Sequence, residues 1–316
     1  MSIEKSNAIV LRVTEFSETS CIGSFFTRDF GKLTLIAKGA RRPKSPFEAA
    51  LDVLAVCRIV FLHKSSAMGT LTEAKLERRF RNRRQNLHWL YAAFYVIELL
   101  RSLVEEGDPH PELFDLAIAT IMAMDGSRET ERLTAVCNDS ERSANADSFE
   151  LNACLLRFEV GLLKHLGHFP SLHQCVGCGR ERRMNNLVTF GLNTGGVLCP
   201  KCRSSQTNLV QISSAGINCL TQLKQEIDGC QNLVVGLSDS VRSQDINILH
   251  ETVTSYQKNN LMDEWSNESS PGLDTPKGAS PWGEIRMLMN QYLAMLIGHE
   301  PRAIRYLAKL SRLESG

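Results

Sequence analysis

The sequence predicts an α+β protein in two parts: a small five-stranded β-barrel at the N-terminus, then a mostly α-helical domain carrying a four-cysteine insert. Three observations predict it. Short apolar runs broken by turn residues recur at roughly 10–15-residue spacing through the first eighty positions. Beyond them the apolar residues change to a helical spacing. Two Cys-x-x-Cys pairs then interrupt the helical region at 175–178 and 199–202.

The first runs are Ala8–Val13, Cys21–Thr27 and Lys32–Ala37, with Asp29-Phe30-Gly31 as a turn. Ala50–His63 is longer, and Ala67–Leu76 follows the polar turn Lys64-Ser65-Ser66. Five strands in about eighty residues suit an OB-fold barrel, an architecture that binds oligonucleotides on one face and its loops. Phe16, Phe25, Phe26, Phe30, Phe47 and Phe61 are read mainly as core fillers, since a small barrel needs bulk and phenylalanine has no polar edge.

The later helices are expected over Gln85–Glu106, Glu112–Ala123, Phe149–Leu166 and Ser213–Ile227, with a last one starting near Pro281-Trp282. The first carries Leu87, Leu90, Tyr91, Phe94 and Ile97 as its apolar stripe. Residues 126–147 read as a polar loop or exposed helix, and 258–281, rich in Pro, Gly and Ser, as a mobile loop. The expected domains are 1–80 for the barrel and 81–316 for the helical part, with the cysteine insert over 171–206.

The formal charge of +1 hides an asymmetry. The first hundred residues hold 16 Lys/Arg against 9 Asp/Glu, whereas the rest is acidic on balance. The densest basic stretch is Lys38-Gly39-Ala40-Arg41-Arg42-Pro43-Lys44, at the end of a predicted strand. Pro43 stiffens a loop that presents Lys38, Arg41, Arg42 and Lys44, and a phosphate met by such cations releases condensed counterions. Arg78, Arg79 and Arg81 follow the last strand and either extend that cationic track or cover the neighbouring helical surface with their stems. A solvated loop that binds nothing is the alternative at the first place, and pairing with the acidic helical region a further one at the second.

The pattern Cys175-x2-Cys178-x20-Cys199-x2-Cys202 matches a tetrahedral four-thiolate site, which suits one structural Zn²⁺ and leaves no open catalytic position. A redox dithiol or an iron–sulfur cluster are the alternatives; two symmetric knuckles favour zinc. The scattered cysteines read as small apolar residues in a reducing compartment. No apolar run approaches the length of a spanning helix, and the N-terminus shows no apolar signal core, so the expected location is cytoplasmic, without membrane contact. There is no Walker loop, no GxGxxG and no HExxH, so a binding protein rather than an enzyme is expected.

In this order the motifs resemble the RecO family of bacterial DNA repair proteins. The resemblance is carried by Ala8–Ser45, Gly69–Leu76, Arg157–Arg180, Phe190–Cys202 and Met289–Leu307, the last similar to the family's final helix. It implies an OB-fold domain and a helical domain with a zinc-binding insert. It implies a recombination mediator that binds single- and double-stranded DNA, anneals complementary strands and assists RecA loading on strands coated by single-strand-binding protein. RecR is the implied partner, with RecF in some members, and association with the nucleoid during repair follows. The family's DNA contacts carry over to Lys38, Arg41, Arg42 and Lys44. The competing expectation is a zinc-stabilised protein-interaction scaffold whose barrel binds peptide.

Overall fold

The structure is a computed structural model, and it describes residues 2–42, 45, 47, 50–64, 67–81, 85–126, 144–182, 187–234 and 281–314. The chain divides into two compact units, Met1–Ser127 with Pro301–Gly316, and Arg128–Glu300. No helix among the described residues is long and apolar enough to cross a membrane. The segment expected to be a mobile loop, 258–281, lies outside the described residues but for Pro281, as does most of 126–147.

In the first unit, β1 (Ser2–Glu15), β2 (Cys21–Thr27), β3 (Gly31–Ala37), β4 (Val56–Lys64) and β5 (Ala67–Arg78) form a closed barrel in the order β1-β2-β3-β5-β4. All pairs are antiparallel except β3–β5. This is the OB-fold expected from the strand runs. Ala8, Val10, Phe25, Leu33, Leu35, Cys57, Ile59, Phe61 and Leu71 fill the interior. Each fully buried large side chain contributes about 1.5–3 kcal/mol of transfer free energy. The apolar stretch Ala50–Ala55, expected to open the fourth strand, is instead a series of turns. Its residues Ala50 and Ala55 join Phe47 in the same core cluster. It is apolar because it packs into the barrel core, and only its end bonds to β1, through Leu54 N to Val10 O and Val10 N to Ala55 O.

Burial pushes the Cys57 thiol up to about 12, with the Glu77 carboxylate adding to the effect. In the unfolded chain a thiol titrates near about 8.5. Between those values the folded state holds a proton that the unfolded state has lost, so stability is full below about pH 8.5 and falls as pH rises toward 12. Urea midpoints between pH 8 and 11 are expected to fall more steeply for the parent than for Cys57→Ala, by up to about 1.4 kcal/mol per pH unit. Equal slopes for the two proteins would contradict this.

Two helices follow within the same unit. α1 (Leu87–Leu103) starts at Asn86, whose side chain accepts from the His88 amide. α2 (Pro111–Asp125) has Pro at its first position and ends at Gly126 in the left-handed region. α1 buries Trp89, Ala92, Ala93, Tyr95, Val96, Ile97, Leu99 and Leu100. Leu87 and Phe94 of the predicted stripe are instead exposed, at 53% and 39%. The buried face is rotated because α1 packs against β1, α2 and a helix from the far end of the chain.

That last helix is α6 (Arg302–Glu314). It stacks Tyr306 on Tyr91, 5.2 Å between centroids. The Glu98 carboxylate of α1 accepts from the Arg302 and Ala303 amides, at 2.9 and 3.0 Å. A carboxylate there satisfies orphan donors and complements the helix dipole. The single final helix expected from Pro281 onward is therefore two, α5 (Pro281–Ile297) and α6. Gly298, at φ 85°, and Pro301 separate them.

The second unit packs α3 (Ala144–His165), α4 (Ser214–Val234) and α5 together. Arg157–Glu226 and Lys164–Asp228 join α3 to α4, and a buried Glu159 pairs with Arg286 of α5. Between α3 and α4 lies an antiparallel sheet that the helical reading missed. It has the order β7-β6-β8, from β6 (Leu187–Gly191), β7 (Gly196–Leu198) and β8 (Leu209–Ser213). Tyr292 of α5 rests edge-on against Phe190 and donates to the His168 carbonyl at 3.0 Å.

Candidate metal centre and nucleic-acid interface

The four cysteines come together in the second unit. Their Sγ atoms lie within 4.8 Å of one another. The Cys178 and Cys199 sulfurs are 3.8 Å apart. Zn–S bonds of about 2.3 Å in a tetrahedron require sulfurs about 3.8 Å apart, so the donor set fits such an ion.

The local backbone explains the convergence. Cys178 and Gly179 amides turn back to the Cys175 carbonyl, and Cys202 and Arg203 amides turn back to Cys199. β7 delivers Cys199 directly, and the Cys199 amide donates to Cys175 Sγ at 3.3 Å, so the two turns lock to each other. At Gly177 a Cβ would lie 2.9 Å from Cys202 Cβ and 3.0 Å from its sulfur, so a side chain there would crowd the cluster. Thiol chemistry fits too. The Cys202 amide leads the causes that hold Cys199 down to about 6. Cys202 is pushed up to about 12, first by its hydrogen bond to Cys199. Four sulfurs this close share protons until a cation replaces them. Among the described residues neither His168 nor His173 belongs to the cluster; their carbonyls accept from Tyr292 and from the Arg182 amide.

The basic loop is at one rim of the barrel. Its Arg42 amide closes a turn onto the Gly39 carbonyl at 3.1 Å. Lys38 and Arg42 are exposed, and neither side chain has a polar or charged partner among the described residues. Arg41 differs. Its amide donates to Thr19 O and its Nη1 to Ser17 O, at 3.0 and 3.1 Å, while Nη2 lies 3.0 Å from Glu15. It clasps the β1–β2 loop as well as offering charge. Lys44 lies outside the described residues.

The second arginine group follows β5. Arg78 Nη1 lies 3.4 Å from Met122 Sδ of α2. Arg79 faces Asp52 at 3.8 Å, and the Arg81 amide donates to Asp125 Oδ1 at 2.7 Å. Arg78 and Arg79 thus contact residues beside β5 through their side chains, while Arg81 is engaged there through its backbone amide.

Half of the outer β2–β3 face is closed by the chain itself. Phe26 packs on Phe114 of α2, at 5.7 Å. Lys32 Nζ donates to the Arg101 carbonyl, and burial lowers its pKa. Thr34 donates to Glu106, and the Gly107 amide to Lys32 O. Gly31, at φ 66°, is required there, because a Cβ would lie 2.1 Å from the Asp108 carbonyl oxygen. Of the six phenylalanines read as core, Phe16 alone is strongly exposed, at 60%. Its place beside the polar run Ser17-Glu18-Thr19-Ser20 was the signal in the sequence.

The described chain is thus a closed OB barrel with a basic loop, followed by a helical unit that gathers four thiols into a candidate metal knuckle. The family profiles agree. Recombination protein O N terminal matches residues 1–80, and Recombination protein O C terminal matches 84–137 and 144–241. The DNA repair protein RecO of Rhodopirellula baltica is 39% identical over 221 residues, covering 69% of this chain and 74% of that protein. Those of Symbiobacterium thermophilum and Halalkalibacterium halodurans are 30% and 28% identical, over 72% and 80% of this chain and 81% and 89% of their own lengths. The chain belongs to the RecO family of DNA repair proteins.

Proposed function

We propose that this chain is a non-enzymatic recombination mediator. It binds single- and double-stranded DNA through the barrel rim, anneals complementary strands and assists RecA loading on strands coated by single-strand-binding protein. RecR, and in some settings RecF, are the proposed partners, and the site of action is the cytoplasmic nucleoid. The observation that carries the reading is the pair of exposed cations Lys38 and Arg42, without polar partners among the described residues, on an OB barrel of this family.

The chemistry follows from charge. Two complementary strands repel through their phosphates, and rim cations that neutralise some of them lower that repulsion while the bases search for register. Phosphate contact carries no sequence information, so binding is sequence-independent and salt-sensitive. In the second unit Cys175, Cys178, Cys199 and Cys202 would hold one structural Zn²⁺, which supplies cross-linking rather than reaction chemistry. The proposed domains are the barrel, 1–80, and the helical remainder, 81–316, with the metal insert over 171–206.

Strand annealing without nucleotide, on bare and protein-coated strands, tests the reading. Accelerated annealing on both is expected. No annealing, together with tight capture of a peptide partner by the barrel, would instead support the interaction-scaffold reading.

A further inference from the structure

Among the exposed features of the first unit, one ring occupies a place that neither the core nor the cationic loop explains. Phe16 sits at the start of the β1–β2 loop, 60% exposed, with no ring or cation stacked on it among the described residues. We propose that Phe16 is a base-stacking platform that favours unpaired over paired strands. This rests on the DNA-binding reading above and deepens it by naming the part of the ligand that this residue reads.

Three observations carry the inference. The first is rigidity. The Phe16 and Ser17 amides both donate to the Ser20 carbonyl at 3.1 Å, and the Ser20 amide donates to Ser17 Oγ at 3.1 Å. The ring is therefore mounted on a closed turn, so little backbone freedom is lost when a ligand meets it.

The second is continuity with charge. Ser17 and Thr19, in the same five-residue loop as Phe16, receive the Arg41 guanidinium and amide. The aromatic loop and the basic loop form one body. An unpaired strand engaged by Lys38 and Arg42 through its phosphates passes beside the ring with its bases free to turn onto it. Aromatic stacking of this kind is strong and tolerant of sequence, because every base has a π-face.

The third is exclusion. The central β2–β3 face, where an OB barrel ordinarily seats bases, is half covered by α1, α2 and the loop joining them, through Phe26–Phe114, Lys32–Arg101 and Thr34–Glu106. Phe25, Phe26, Phe47 and Phe61 are buried, and Phe30 packs edge-on against Phe61. Among the described barrel phenylalanines Phe16 is the one strongly exposed, with Phe30 and Phe80 half-buried. In a duplex the bases are already stacked and paired, so the ring gains a partner only from an unpaired strand.

The test compares three ligands: an oligothymidylate, an abasic oligonucleotide of the same length and charge, and a long linear duplex. Phe16→Ala is expected to weaken the oligothymidylate complex by about 5- to 100-fold. It should leave the abasic and duplex affinities within about twofold and the salt dependence of binding unchanged. Phe16→Trp should retain the affinity, and a new tryptophan emission should be quenched by oligothymidylate but not by the abasic strand. Phe16→Leu, which keeps an apolar branched side chain but has no π-face, guards against a loop-folding effect and should behave as Phe16→Ala. Equal losses on all three ligands, or no loss on any, would overturn the stacking role. Charge reversal at Lys38 and Arg42, run alongside, separates the failures. If that variant loses DNA and Phe16→Ala does not, the stacking platform alone falls. If the parent chain binds none of the ligands, the DNA-binding reading falls and takes the platform with it.

Discussion

Cys199→Ser is expected to purify without stoichiometric metal and to lose most of the stability of the unit Arg128–Glu300. Cys199 is the residue that joins the two knuckles: its sulfur faces Cys178 and its amide holds Cys175. A structural zinc site contributes on the order of 10 kcal/mol at neutral pH, comparable to the whole stability of an ordinary domain. Elemental analysis should give about one zinc per parent chain and none for the variant, and calorimetry should lose the transition of the second unit. The pH dependence has a fixed sign. The metal-free cluster holds protons, with Cys202 pushed up to about 12, so zinc uptake must expel them. Acidification should therefore release zinc and alkalinity should not. Stoichiometric zinc in Cys199→Ser would refute the site.

Lys38→Glu/Arg42→Glu is expected to lower affinity for both single- and double-stranded DNA by roughly 30- to 100-fold at 0.1 M salt. The slope of log affinity against log salt should fall by about 1.4–1.8, the share of two phosphate contacts. These two positions are chosen because their side chains engage nothing polar in the described structure. Arg41→Glu is a less clean probe. It would place a carboxylate against Glu15 and against the Ser17 carbonyl, and so open the loop clasp as well as remove charge. The double variant should melt at the parent temperature. Unchanged DNA affinity at low and moderate salt would remove the loop from the interface.

Much of this was legible in the sequence, for definite reasons. β2 matches its expected bounds, Cys21–Thr27, because a compact β-rich run is closed on both sides by turn residues. The cysteine cluster was legible because spacing alone dictates convergence when all four residues serve one centre. The three-stranded sheet was not, because β7 is three residues long and its residues read equally well as the approach to Cys199. The α1 stripe was misplaced because a helix packed on several sides has no single periodic face, which left Leu87 and Phe94 outside. Ala50–Ala55 misled because an apolar plug and an apolar strand have the same composition. The division of labour among the cations was also invisible. Nothing in Lys-Gly-Ala-Arg-Arg says that Arg41 is engaged by its neighbouring loop while Lys38 and Arg42 have no polar partner among the described residues.

The chain returns, at Arg302, to the unit with which it began. On the ribosome this sets an order of completion. The barrel and α1 emerge early, but the surface around Tyr91 and the Glu98 carboxylate waits for a helix made about 200 residues later. At ordinary elongation rates that is a delay of roughly 10–40 s. The cysteine-bearing unit, lying wholly in between, can finish first. A premature stop or a proteolytic cut near Pro301 would thus leave the later-made half whole. It would strip the barrel-bearing half of its closing helix, so that trimming the tail of this chain injures its head.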